Sequence, residues 1–155
     1  MGVTGSGKST LGQVLAQALN RTFVEGDTLH PAANIAKMAA GIPLNDSDRI
    51  PFLANVARAL AARPGQLVIS CSALKRSYRD QLRAADPQLI FVHPLLSRQQ
   101  LQSRLRQRHD HFMPATLLDS QLADLEPPGA DERFIPIDGT EGLDRQVAAA
   151  LAQIA

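Results

Sequence analysis

At 155 residues, with 45% hydrophobic and 20% charged residues, the chain has room for one folded domain with a single core and is too apolar to stay disordered. Lys and Arg number 16 against 15 Asp and Glu, a formal net charge of +1, which excludes a chain-wide field that would draw in nucleic acid or an anionic membrane. No apolar run approaches the roughly 18 residues of a membrane span, and the start lacks a signal-peptide pattern. The single Cys71 excludes an internal disulfide and reads as a buried thiol, which suits a reducing cytoplasm.

Leu11, Val14, Leu15, Ala18 and Leu19 recur with helical spacing, so a helix is expected from about Lys8 to Leu19. Thr22-Phe23-Val24 reads as a short strand. Pro31 is placed to open a second helix and Gly41 to close it, with Ile35 and Met38 on one face. Asn45, Asp46 and Ser47 offer N-caps for a third helix with the face Leu53, Val56, Ala57 and Leu60, in which Pro51 is tolerable only in the first turn. Pro64-Gly65 stops it. Leu67 to Cys71 then reads as a buried strand, Ser77 to Ala85 as a helix and Leu89 to Val92 as a second buried strand. Ser97 and Gln100 form a capping-box pattern for a helix carrying Leu101 and Leu105. Pro114 starts another with Leu118, Leu122 and Leu125, Phe134 to Ile137 is a last strand, and Leu143, Val147, Leu151 and Ile154 mark a closing helix. Strands alternating with helices imply a three-layer α/β fold, a parallel sheet flanked by helices, with ligands at the carboxyl ends of the strands.

Gly2-Val3-Thr4-Gly5-Ser6-Gly7-Lys8-Ser9 fits G-x-x-x-x-G-K-[ST] throughout. Glycines let backbone N–H groups turn inward around phosphate oxygens, and the following helix points its positive dipole end at the same anion. Gly2, Thr4, Gly5, Ser6, Gly7, Lys8, Ser9 and Thr10 are therefore the candidate ATP-binding residues, with Lys8 for the β and γ phosphates and Ser9 for Mg²⁺. The cradle alone does not separate kinases from other nucleotide-binding proteins. No N-K-x-D guanine-reading motif occurs, and the runs Leu67 to Cys71 and Leu89 to Val92 end without the acid that motor-type ATPases use to hold Mg²⁺. Glu25 and Asp27, two apart at the end of the strand that starts at Thr22 and so expected on one side of it, stand in for that acid.

His30, Asn34 and Lys37 fall at i, i+4 and i+7, a polar stripe opposite Ile35 and Met38 that is either a solvated face or a polyol-binding face. Arg104 and Arg108 lie one turn apart ahead of His109-Asp110-His111-Phe112, either a basic exposed face or arginines that stabilise moving phosphate charge.

The stretch Glu25-Gly26-Asp27-Thr28-Leu29-His30-Pro31, with Asn34, Lys37-Met38, Gly41, Pro43-Leu44, Asp46, Asp48-Arg49 and Pro51, resembles the signature of gluconate kinases. Cys71 through Asp80, His111-Phe112, Ser120-Gln121 and Leu125-Glu126-Pro127 continue the resemblance over nearly the whole chain. It departs at Asp110, where a glycine is usual, and at Glu25, where Asp is common. The resemblance implies transfer of the ATP γ-phosphoryl group to the terminal hydroxyl of D-gluconate, giving 6-phosphogluconate. Lys8, Asp27, Arg104 and Arg108 are then catalytic, Asp27 orienting the attacking hydroxyl, and Ser9 and Glu25 serve Mg²⁺. Asp27, His30, Lys37, Arg49, Arg79, His111 and Gln121 contact the acceptor, with Arg49 and Arg79 gripping its carboxylate by paired hydrogen bonds. A single domain over 1–155 with a lid at about 104–125, a homodimer, and no nucleic-acid or membrane partner complete the expectation. Alternatives are another acceptor, such as shikimate or a nucleoside monophosphate, or a nucleotide-binding regulatory module without turnover.

In P-loop folds an apolar central strand feeds the first glycine, and here only Met1 precedes Gly2. About five such residues would bury side chains worth roughly 1.5 to 3 kcal/mol each. The expectation is a natural start upstream of Met1, and poor stability or weak activity of the chain as written unless another segment fills that place.

Overall fold

A computed structural model describes residues 1–107 and 115–154. In chain order the elements are α1 (Lys8–Ala18), β1 (Thr22–Glu25), a 3-10 turn (Gly26–Leu29), α2 (Ala32–Ala39), α3 (Asp46–Ala62), β2 (Leu67–Ser70), α4 (Arg76–Ala85), β3 (Phe91–Leu95), α5 (Arg98–Gln107), α6 (Ala115–Asp124), β4 (Phe134–Asp138) and α7 (Leu143–Ile154).

All strand pairing is parallel, as buried strands joined through helices require. β1 pairs with β2, Thr22 opposite Leu67 and Glu25 opposite Ser70, and β3 pairs with β4, Phe91 opposite Phe134 and Leu95 opposite Asp138. The sheet therefore consists of two parallel pairs, β1-β2 and β3-β4. Between β2 and β3 runs a channel of about 260 Å³, lined by apolar residues including Leu11, Leu15, Val56, Leu60, Ile69 and Val92. At its end the first two residues tie both pairs together. The Met1 ammonium donates to the Val92 carbonyl at 2.5 Å, and the Gly2 N–H donates to the Ser72 carbonyl at 3.1 Å.

Helices cover both faces. Phe52, Leu53, Val56 and Leu60 of α3 pack with Tyr78 and Leu82 of α4 against Phe91 in one core, while Leu11 and Leu15 of α1 meet Ile135, Ile137, Val147 and Ala150 in another. A third, of Val3, Leu74, Leu101 and Leu118, sits beneath the glycine-rich loop. Cys71 is buried, and its thiol is pushed up by burial, as an inert structural cysteine requires.

Local signals account for most boundaries. Asn45 caps α3 by a reciprocal bond with Asp48, and Ser97 and Gln100 close the expected box at 2.7 and 3.2 Å. Two expectations fail. Pro51 lies inside α3 beyond its first turn, and β3 begins at Phe91 and continues through Pro94 to Leu95 instead of spanning Leu89 to Val92. An Asp86 turn explains the shift. Its carboxylate accepts from the Gln88 N–H at 3.0 Å and its carbonyl from the Leu89 N–H at 3.0 Å, so residues 86–89 are not free to extend.

One buried ion pair ties α4 to the segment before β4. Arg79 Nε and Nη2 meet Glu132 Oε2 and Oε1 at 2.7 and 2.8 Å, both side chains wholly inaccessible, while Nη1 donates to the carbonyls of Ala73 and Leu74. Removing one partner strands the other charge, so Glu132→Ala is expected to lower unfolding free energy by about 3–5 kcal/mol in denaturant titration.

His93 and Glu132 are two of the groups through which acid weakens the fold. His93 is held neutral, its pKa lowered from 6.5 to about 4 by burial first, then by the N-terminal ammonium, Arg79 and Lys8. Hydrogen bonding from Arg79 lowers Glu132 from 4.5 to about 2. In both cases the unfolded chain takes up the proton first, so stability falls with pH from about 6.5 to 4 for His93 and from 4.5 to 2 for Glu132. Melting curves across this range should show the upper limb flattened in His93→Leu.

Candidate active site

The loop from Gly2 to Gly7 wraps the start of α1. Gly5 and Gly7 adopt φ of 79° and 89°, which side chains resist, and Gly7 is the residue from which α1 starts. The first-turn N–H groups of α1 thus face outward beside the loop, an anion site by geometry. Lys8 reaches back along the loop, Nζ donating to the Val3 carbonyl at 2.9 Å. A Cβ on Gly7 would stand 3.6 Å from Arg104 Nη1, so α5 brings a guanidinium to this end of the loop. Arg104 Nη2 donates to the Gly139 carbonyl at 2.5 Å, which fixes the side chain there. Ser9 is half-buried and Thr10 exposed, both in the first turn.

Gln121 is placed differently from expectation. Its Oε1 accepts from the Thr4 N–H at 2.7 Å, so α6 props the phosphate loop and Gln121 is committed to the donor side. Arg108 and His111 lie outside the described residues.

β1 ends against β2 so tightly that a Cβ on Gly26 would stand 1.7 Å from the Ser70 carbonyl oxygen, and only glycine fits. Glu25 accepts a very short hydrogen bond from the Ser70 hydroxyl, which in turn accepts from the Gly26 N–H at 3.0 Å. Strand alternation does not relate Glu25 to Asp27, because the chain enters the 3-10 turn at Gly26. Asp27 is exposed, and its charge acts on His30, whose pKa is lowered by burial, raised in part by Asp27 and lowered further by Arg49. His30 stacks on Phe52 with ring centroids 3.7 Å apart.

The α2 stripe faces inward. Asn34 is buried, donating to the Asp48 carbonyl at 2.7 Å and lying 3.2 Å from His30 Nδ1, and Lys37 meets Asp48 at 2.7 Å. Ile35, on the face opposite the stripe, is 48% exposed. Polar packing against the N-terminus of α3 inverts the simple amphipathic reading.

Of the two arginines expected to grip a carboxylate, Arg79 is fully engaged with Glu132 and inaccessible, which removes it from that role. Arg49 projects from the first turn of α3 into a cluster that composition and spacing left unread. Its Nη1 meets Asp124 Oδ2 at 2.8 Å and lies 3.5 Å from the Tyr78 hydroxyl. Lys75 meets Asp46 at 2.8 Å, and Tyr78 donates to Asp46 in a very short bond. The legible signal was Lys75 to Tyr78 immediately after a strand end, where α/β ligands bind. Nothing local marked Asp124.

The donor set fits the groups implied. A hydroxyl at Ser9 with carboxylates at Asp27 and Glu25 offers hard oxygen ligands suited to Mg²⁺, although Glu25 is already held by Ser70.

A family model described as an AAA domain matches residues 1–128. The chain is 50% identical over 147 residues to the gluconokinase of Gluconobacter oxydans (strain 621H), covering 93% of this chain and 83% of that protein. It is 41% identical over 158 residues to the thermoresistant gluconokinase of Escherichia coli (strain K12), covering 99% and 90%. The crystal structure of a gluconokinase from Sinorhizobium meliloti 1021 superposes with a TM-score of 0.89 at 47% identity, covering 99% of this chain and 88% of the other.

Proposed function

Because this chain belongs to the gluconokinase family of P-loop kinases, we propose that it transfers the γ-phosphoryl group of ATP to the terminal hydroxyl of D-gluconate, giving 6-phosphogluconate. The observation that carries this reading is 41–50% identity to gluconokinases over nearly the whole chain, with the phosphate loop intact from Gly2 to Ser9.

The loop N–H groups and the α1 terminus bind the phosphates, Lys8 exchanging its bond to Val3 for a phosphate oxygen. Arg104 adds positive charge beside Gly7, where the transferred group develops charge in the transition state. Asp27, exposed at the mouth of β1, orients the acceptor hydroxyl and accepts its proton. His30, held neutral by burial, and Lys37 hydrogen-bond the polyol, and Arg49 takes the carboxylate. Ser9 and Glu25 would hold Mg²⁺, which would offset phosphate charge.

The reading extends to a cytoplasmic homodimer. No helix among the described residues is long and apolar enough to cross a membrane. Ile35, Ile42 and Ile50 are 48–63% exposed on α2, the following turn and α3, an apolar surface suited to a second copy.

Coupled ADP release should depend on D-gluconate; turnover of shikimate or a nucleoside monophosphate without gluconate turnover would overturn the assignment. Asp27→Asn should lower kcat by about a hundredfold or more while ATP affinity stays within about twofold, because the group acts mainly in the transition state. An unchanged kcat would remove Asp27 from its role.

A further inference from the structure

Arg49 is nearly buried, with 8% of its side chain accessible, yet only one corner of its guanidinium is used. Nη1 serves Asp124 and Tyr78, while Nε and Nη2 make no hydrogen bond among the described residues. Two parallel donors of a guanidinium are the geometry that a carboxylate matches. Lys75 stands beside this group, 3.8 Å from the other oxygen of Asp124, so one internal carboxylate lies between the two cations.

The position of Asp124 on α6 is unfavourable on local grounds. It is the last residue of the helix, where the macrodipole repels a negative charge. Its favourable interactions are the ion pairs with Arg49 of α3 and with Lys75, the residue that caps α4. Lys75 has Asp46 as its closer partner at 2.8 Å, so an acid in this place chiefly neutralises Arg49, which is otherwise partly desolvated.

We infer that Asp124 is an internal counter-ion for Arg49 and Lys75, that the carboxylate of the acceptor displaces it from Arg49 on binding, and that Asp124 thereby sets the affinity for anionic acceptors. This rests on the gluconate reading. Displacement costs the existing ion pair, so the acceptor's affinity is the difference between two carboxylate contacts with one guanidinium. Asp124 forms no bond to the reacting atoms and is a specificity-determining residue. Its effect falls on acceptor binding, leaving the chemical step and the nucleotide untouched. An acceptor of the same chain length without a carboxylate gains nothing from its removal.

The test is steady-state kinetics of Asp124→Asn and Asp124→Glu with D-gluconate and MgATP at low ionic strength, with calorimetric titration of D-gluconate in the absence of nucleotide. Asp124→Asn should lower KM and Kd for gluconate by about threefold to tenfold, the worth of a partly exposed ion pair, and leave kcat and KM for ATP within about twofold. Asp124→Glu should behave as the parent. With D-sorbitol, the neutral polyol, the two proteins should be equal. Asp124→Ser, which also removes the charge, repeats the measurement if the amide variant fails to fold. A gluconate KM that is unchanged or raised in folded variants of an active parent overturns this inference and leaves the gluconate assignment standing. A parent with no gluconate turnover overturns the assignment, and this inference with it.

Discussion

The pair Arg79–Glu132 is the constraint on which the site depends. Two charges taken out of water cost several kcal/mol each, and they persist only where every donor and acceptor is matched. Here the match is unusually full. Arg79 also holds the carbonyls of Ala73 and Leu74, Glu132 receives the Gly129 N–H and a second guanidinium from Arg83, and the Glu126 N–H returns to Leu74. Ala73, a buried residue at a φ of 44°, is kept in a conformation that alanine avoids on its own. The turn that follows β2 is thus set by a pair beneath it. Ser72, in that turn, accepts from Gly2, and Lys75, at its end, faces the acceptor cluster. Phosphate loop and acceptor side share one rigid support.

Helix α6 is the second element common to both sides. Gln121 holds the Thr4 N–H of the phosphate loop, and Asp124, three residues on and so on the same face, holds Arg49. One helix thus couples the glycine-rich loop to the Arg49 cluster. A nearly neutral chain gathers charge locally this way, bringing Arg49 and Lys75 from α3 and the cap of α4 together with Asp46 and Asp124.

The parts legible in the sequence were those whose physics is local. A glycine loop followed at once by a helical period, the Asn45 cap and the Ser97-Gln100 box each depend on neighbours within a few positions, and each formed as read. Where the deciding partner is distant, the reading failed. Arg79 looked like a surface guanidinium free for a ligand because Glu132 lies 53 residues away. Gln121 is tied to a loop 117 positions earlier. The stripe on α2 was left open between two roles because Asn34 and Lys37 find Asp48 of α3, a pairing that a hydrophobic period cannot express. The start of β3 moved because the Asp86 turn competes with strand extension, a signal present in the sequence as Asp-Pro but outweighed by the apolar run after it.

The channel between β2 and β3 gives the molecule a mechanical character. Its walls carry apolar side chains together with polar ones such as Lys8, Ser70, Asp86 and Arg133, so packing across it is incomplete. The two strand pairs meet across a loosely packed seam, where the sheet deforms most easily. Met1 and Gly2 close that seam at one end, so movement of one strand pair against the other reaches the glycine-rich loop directly.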